Sequence, residues 1–248
     1  MSGSVSPPLP RWRFAVLAFC HAAAALLWAT LAFEPGASLW REVDRVAFFA
    51  MNGILGAGEW MQVAWAYMNT KAYDNTNGAI MVLFAFWVFW RDRDRPAAGR
   101  LALFGLLAVS IVAGVVTSKT IFVDIDKLSP SLVFQADFYA LQDLVPWVSA
   151  KTGSTQSFPA DHGVVTFIYV GFFFFLAARR YFLIAVVIGL LNALPRMVVG
   201  AHWLSDTIVG GGMFALAVLA WALATPALVW LEAVVAWGLR RVGLNRPS

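Results

Sequence analysis

Charge is scarce in this 248-residue chain. Only 13% of its residues are Asp, Glu, Lys or Arg and 60% are hydrophobic, whereas a soluble domain carries about 25% charged residues. The deficit is concentrated in runs. No charged residue interrupts Phe14 to Phe33, Leu101 to Ser118, Gly163 to Ala178, Tyr181 to Pro195 or Thr207 to Leu231. About 18 or more apolar residues suffice to cross a hydrocarbon core. The third and fourth runs fall slightly short of that. A sixth, Asn77 to Trp90, reaches it by recruiting Tyr73 and its neighbours. The pattern predicts an all-α, polytopic membrane protein with about six transmembrane helices and excludes a soluble globular domain. Cysteine is nearly absent. The single Cys20 lies within the first run, so neither an internal disulfide nor a cysteine metal cluster is expected. Internal repeats, low-complexity tracts and a second soluble domain are lacking too.

The first apolar run is too long for a signal-peptide core and is followed by no small-residue cleavage site, so a cleaved leader is not expected. Residues 1–10 are rich in Ser and Pro and read as a disordered cytoplasmic tail; residues 11–248 read as one membrane domain. The formal charge of +4 does not imply a nucleic-acid partner, because basic residues in a membrane protein record topology. With six spans, Arg11, Arg13, Arg91, Arg93, Arg95, Arg100, Arg179, Arg180, Arg240, Arg241 and Arg246 fall on one side, which the positive-inside rule makes cytoplasmic. All four lysines (Lys71, Lys119, Lys127, Lys151) fall on the other side, with Arg41, Arg45 and Arg196. Topology does not require those cations, so a local need for positive charge is the alternative.

The outer connections hold the remaining polar residues. Between Leu39 and Ala50, apolar Trp40, Val43 and Val46 alternate helically with Arg41, Glu42, Asp44 and Arg45, the pattern of an interfacial helix. Residues 60–68 are apolar and read as a second interfacial or partly buried helix. The stretch from about 120 to 158 is the largest polar loop, broken by Pro130 and Pro146.

Three histidines remain to be placed. His21 sits among alanines and reads as a helix-packing residue. His202 and Asp206 are four apart, a spacing that brings two side chains together on a helix face. A carboxylate there can fix the imidazole tautomer and leave the other nitrogen free to attack. Arg196, six residues before His202, would point about 240° away on a continuous helix. It joins them only if the chain turns, and Gly200 supplies the turn. Arg196 should therefore end the fifth span, His202 lie in the turn and Asp206 open the sixth. An arginine there can fork onto phosphate oxygens; the plainer alternative is an Arg196–Asp206 salt bridge capping two helices. In Ser157-Phe-Pro-Ala-Asp161-His162-Gly163, Asp161 and His162 open a helix whose N–H groups favour an anion. His162 could protonate a leaving oxygen; the plainer alternative is Asp161 as a helix cap.

Together these segments resemble the phosphatidic acid phosphatase type 2 superfamily, whose motifs are Lys-x6-Arg-Pro, Pro-Ser-Gly-His and Ser-Arg-x5-His-x3-Asp. The third spacing is intact in Pro195-Arg196-x5-His202-x3-Asp206, and Pro159-Ala160-Asp161-His162 stands at the second. The resemblance implies a phosphoenzyme on His202, His162 as acid, Arg196 on phosphate, Asp206 orienting His202, and neither cofactor nor metal. Ala160, Asp161 and Pro195 depart from the pattern and remove hydroxyls; Ser157 is the candidate substitute, and Asp161 is counted among the phosphate-site residues. At the first motif Lys119 stands eight rather than seven residues before Lys127, and Lys127-Leu-Ser-Pro130 replaces Arg-Pro. The resemblance assigns both lysines to phosphate.

These departures, with Asn69-Thr-Lys-Ala-Tyr-Asp74, look similar to the lipid A 1-diphosphate synthase group. That likeness implies transfer of phosphate from undecaprenyl diphosphate to the 1-phosphate of lipid A, at the periplasmic face of the bacterial inner membrane. It leaves Lys71 and Asp74 without a role beyond an interfacial salt bridge. Two rivals stand beside it: a lipid phosphatase that passes phosphate to water, and a non-enzymatic transporter that uses Arg196, His202 and Asp206 as a relay.

Overall fold

The computed structural model describes residues 11–122, 125–134 and 136–243; the expected tail at 1–10 and Arg246 lie outside them. The described residues are helical and irregular, without strands. The first apolar run is helix α1 (Phe14–Ala32). The interfacial pattern becomes α2 (Gly36–Asn52), a short 3₁₀ turn follows, and residues 60–68 form α3 (Glu59–Tyr67). Then come α4 (Lys71–Trp90), α5 (Ala97–Ile121), two single-turn helices α6 (Pro130–Val133) and α7 (Leu141–Leu144), α8 (Asp161–Leu176) and α9 (Arg179–Val198). A π-helical segment, Asp206–Gly211, leads into α10 (Gly212–Leu223), and α11 (Ala227–Arg241) ends the described chain.

Four helical stretches are long and apolar enough to cross a membrane: α1, α5, α9 and Asp206–Leu223. Helix α8 is apolar but only 16 residues long, and α4 has 20 residues with polar first turns. These six pack as one bundle, and the chain is a multi-pass membrane protein. Helix α8 is its centre, packed against α5, α9 and α10. Val164, Ile168, Tyr169, Phe172 and Phe173 are all buried there. Lipid does not drive helices together as water does, so contact and internal hydrogen bonds carry the packing. Asn77 of α4 donates to Asn192 of α9 at 3.2 Å, and Asn192 donates to the His162 carbonyl and the Thr166 hydroxyl of α8 at 3.1 Å each. This thread sets the register of three helices directly beneath His162.

The last apolar run, expected as one span, is two helices. Pro226 cannot donate to the helical ladder. The Thr225 hydroxyl instead donates to the Trp221 carbonyl at 2.6 Å and accepts from the Ala227 N–H at 3.2 Å. The chain turns there, and α11 packs along α5. Proline acts differently in α9, where Pro195 lies within the helix. The Leu191 carbonyl, left without its i+4 donor, accepts the Tyr73 hydroxyl at 3.1 Å. His21 fits its packing role: Nδ1 meets the Leu17 carbonyl at 2.8 Å and Nε2 accepts from Trp221 Nε1 at 3.2 Å.

The π-helical segment lies against the start of α8 at backbone contact distance. A Cβ on Gly211 would come within 2.6 Å of the Gly163 carbonyl carbon, and one on Gly163 within 2.9 Å of Thr207 Cα. Backbone cannot swing aside as a side chain can. Gly211→Ala should therefore destabilise the bundle by about 1–3 kcal/mol, read as a lower unfolding temperature in detergent. An unchanged temperature would show that the two segments separate without cost.

Candidate active site

The site forms where α4, α8, α9 and the π-helical segment end on the face opposite the arginine-rich connections. Helix α9 stops at Val198, and Gly200 takes φ +79°, a conformation open to glycine at little cost. The chain folds back so that the N–H groups of Ala201 and His202 both reach the Arg196 carbonyl, at 2.8 and 3.2 Å. A Cβ on Gly200 would also meet Phe48 at 2.8 Å. Arg196 thus lies in the last turn of α9, His202 in the connection and Asp206 at the first residue of the next helical segment, as the spacing predicted. The Ala160 N–H donates to the Asp206 carbonyl at 3.1 Å, which ties the segment before α8 to this connection.

His202 is buried, with Nδ1 2.7 Å from the Ser157 carbonyl. A carbonyl can only accept, so Nδ1 carries a proton, and in the neutral ring Nε2 keeps its lone pair. Asp206 Oδ2 stands 3.8 Å from the same Nδ1, an electrostatic distance rather than a hydrogen bond. Its oxygens are engaged elsewhere: Oδ2 accepts from the Trp203 N–H at 2.8 Å and Oδ1 from Lys127 Nζ at 2.7 Å. The spacing reading had the carboxylate take the imidazole proton; in the fold the backbone of Ser157 takes it. His202 lies outside any helix, so the i, i+4 geometry does not apply.

Lys127 ends in a buried polar cluster. Besides Asp206 it donates to Ser205 Oγ at 2.9 Å and lies 3.8 Å from Asp44 Oδ2. Asp44 comes from α2 and is buried; Oδ1 accepts the Ser205 N–H at 2.7 Å and Oδ2 the Ser205 hydroxyl at 2.6 Å. Burial holds the Asp44 carboxyl above the usual carboxylate range, against the opposing pull of the Ser205 bonds and the Lys127 charge. A carboxyl whose pKa is raised on folding contributes stability that is present below its unfolded value. That contribution is lost as pH rises through the folded value. The melting temperature of the native protein minus that of Asp44→Asn should thus fall as pH is raised from 4 towards 7. A difference that grew with pH would mean the Lys127 attraction outweighs burial.

Arg196 is almost fully buried, and its guanidinium has one carboxylate partner, Asp74 of α4, through Nη2 and Oδ2. Its Nη1 faces the Asn69 carbonyl, Asn69 Oδ1 and the Lys151 carbonyl, each at 3.3 Å. The other Asp74 oxygen lies 3.4 Å from His162 Nε2. Asp74 therefore joins the arginine to the second histidine. The Arg196–Asp206 salt bridge considered from spacing does not form.

Two of the expected phosphate-site residues pair with each other. Lys119 at the end of α5 and Asp161 at the start of α8 form an exposed ion pair at 2.8 Å. Lys127 is met by Asp206, Ser205 and Asp44 rather than by Arg196. Ser157 contributes its carbonyl to His202, and its hydroxyl is buried without a hydrogen-bond partner, as is His162 Nδ1. Asp44 and Asn69 were not singled out from the sequence for the site, and Asp74 was left without a role. Asp44 looks like one more charge on an interfacial helix, and only its orientation distinguishes it. Among the described residues no three His, Cys, Asp or Glu side chains converge as a metal-ligand set.

Buried Arg196 and His202, with the partly exposed His162 and Lys127, gather at one end of a helical membrane bundle, an arrangement suited to a membrane enzyme. The chain belongs to the PAP2 superfamily: the family model matches residues 134–230. It is also 30% identical over 189 residues to the lipid A 1-diphosphate synthase of Escherichia coli (strain K12), a match spanning 75% of this chain and 78% of that protein. No solved structure matches. The protein is accordingly a lipid phosphatase or phosphotransferase of the PAP2 type.

Proposed function

We propose that this enzyme moves the terminal phosphate of undecaprenyl diphosphate to the 1-phosphate of lipid A through a phosphohistidine on His202. The observation that carries the reading is the 2.7 Å contact from His202 Nδ1 to the Ser157 carbonyl. It leaves Nε2 as a nucleophile in the connection that folds back onto the Arg196 carbonyl. In the first step Nε2 attacks the terminal phosphorus. The N–P bond forms, the P–O bond to undecaprenyl phosphate breaks, and His162 gives a proton to the departing oxygen. The long His162–Asp74 contact yields to that oxygen. Arg196 holds the equatorial oxygens and is kept in place by Asp74. In the second step His162 takes the proton of the acceptor phosphate, an oxygen attacks the phosphorus, and the N–P bond breaks to restore His202. Splitting one displacement into two is what a covalent intermediate provides.

In this reading the enzyme lies in the bacterial inner membrane with its site facing the periplasm, supported by the arginines gathered on the opposite side. Lys127 acts through Asp206 and Ser205, and Ser157 presents its unpartnered hydroxyl to phosphate. Purified protein, undecaprenyl diphosphate labelled in the terminal phosphate and lipid A decide the acceptor. Label should appear in lipid A. Release of inorganic phosphate alone would replace this function by that of a lipid phosphatase, and no consumption of the donor would leave the transporter alternative.

A further inference from the structure

The arginine-rich end of the bundle, opposite the active site, holds a cavity of about 310 Å³. Its floor is the end of α4, where Val88 and Phe89 are buried, and one wall is the connection at Ala177 and Ala178 that leads into α9. Three arginines line it: Arg91 and Arg93 from the connection after α4, and Arg180 from the first turn of α9. The volume is at the lower end of the range for ligand pockets (about 300–1,000 Å³), room for a phosphate and its ester arms.

None of the three arginines is paired with a carboxylate among the described residues. Arg91 lies over the Trp87 ring at 4.9 Å and Arg180 over the Tyr181 ring at 4.7 Å. Stacking occupies the flat face of a guanidinium and leaves its in-plane N–H groups to donate, as phosphate oxygens require. Arg180 spends one of its five N–H groups on the Tyr181 hydroxyl, at 3.0 Å. Two carboxylates also line the cavity. Asp92 is taken by Arg95 at 3.0 Å, and Asp94 pairs with no cation among the described residues. The lining therefore carries three uncommitted positive charges against one negative. The first turn of α9 adds to the imbalance, since it holds Arg179 and Arg180 and no acidic residue. Cations at the positive end of a helix dipole lower helix stability, so helix formation gives no reason for them to be there.

We propose that this cavity binds the phosphate of an anionic phospholipid between Arg91, Arg93 and Arg180, with a chain of the lipid along Leu83 and Trp87. Those two residues are exposed and share a face of α4 with Arg91, each four residues from the next. A lipid rather than a free anion fits because the arginines stand where α4 leaves the bilayer, beside that apolar face. Exposed Trp87 and Trp90 mark the same level, since tryptophans gather at the depth of the headgroups. The site takes no part in phosphoryl transfer and stands whether or not that reading holds.

The test titrates phosphatidylglycerol onto the full-length protein in a neutral detergent and counts bound lipid by native mass spectrometry. Phosphatidylcholine and inorganic phosphate form two further arms. Phosphatidylglycerol should bind more tightly than phosphatidylcholine and stay bound when inorganic phosphate is added. Arg91→Gln, Arg93→Gln and Arg180→Gln should each weaken it about fivefold, and the three together about 100-fold. These side chains are exposed and unpaired, so the variants should keep the native unfolding temperature in detergent alone. Asp94→Asn, which removes the uncommitted carboxylate of the lining, should tighten binding instead. Arg240→Gln with Arg241→Gln is the control for general surface charge. Both residues are exposed at the end of α11, and Arg241 also stacks on a tryptophan, Trp237, yet neither lines this cavity. That variant should change the affinity by less than about twofold. Equal weakening by the two sets of arginines would reduce the effect to attraction by the whole basic surface and overturn the proposal. So would an unchanged affinity in Asp94→Asn, equal binding of phosphatidylcholine, or displacement of the lipid by inorganic phosphate.

Discussion

His202→Ala should lower the single-turnover cleavage of a lipid diphosphate by about 10⁴-fold or more and abolish any acid-labile phosphoryl label on the protein. The expectation follows from the tautomer. With Nδ1–H held by the Ser157 carbonyl at 2.7 Å, Nε2 of the neutral ring has a lone pair, and no hydrogen bond among the described residues donates to it. Of the neighbouring carboxylates, Asp74 and Asp206 are already bound to cations, and the Nε2 of His162 faces Asp74. A rapid-quench measurement with labelled donor checks both parts. If the variant kept more than a tenth of the native rate, phosphate would be passing directly between lipids and His202 would serve only to hold the loop.

Asp74→Ala is expected to have the second-largest effect, on folding and turnover together. It leaves the Arg196 guanidinium, buried to 3% exposure, with only carbonyl and amide oxygens at 3.3 Å. Stranding one partner of a fully buried pair costs about 3–5 kcal/mol. Asp74 is itself 32% exposed, so water softens the loss and about 2–3 kcal/mol is expected here. The same change frees His162 Nε2 from its partner, so turnover should fall about 100-fold or more even where the protein remains folded. Comparing Asp74→Ala with Asp74→Asn separates the two effects. The amide keeps one hydrogen bond but no charge, and should recover stability more than rate. Full activity in both variants would mean that Arg196 and His162 do not need to be joined.

The apolar runs made the membrane helices readable, because crossing a bilayer demands length and apolarity from the segment itself and from nothing distant. The same locality explains why the turn at Gly200 and the order of Arg196, His202 and Asp206 were readable, since six residues and one glycine decide them. It also explains the one misread span. Between Thr207 and Leu231 the composition is uniformly apolar, and whether Pro226 kinks a helix or ends it depends on whether a neighbour receives the next segment. Helix α5 does.

Long-range pairing followed no such rule. Asp74 lies 122 residues from Arg196, and Asp44 lies 161 from Ser205; neither has a local feature that names its partner. The acceptor of the His202 proton is a backbone carbonyl, a group every residue carries, and so no residue type could announce it. By itself the sequence determined the membrane class, the family and the spacing that assembles the third motif. Only the tertiary structure decided that Asp74 couples Arg196 to His162, and that Ser157 rather than Asp206 holds the His202 proton. Both depend on the mutual approach of α4, α8 and α9, and burial makes each charge or donor accept whichever partner that packing brings within reach.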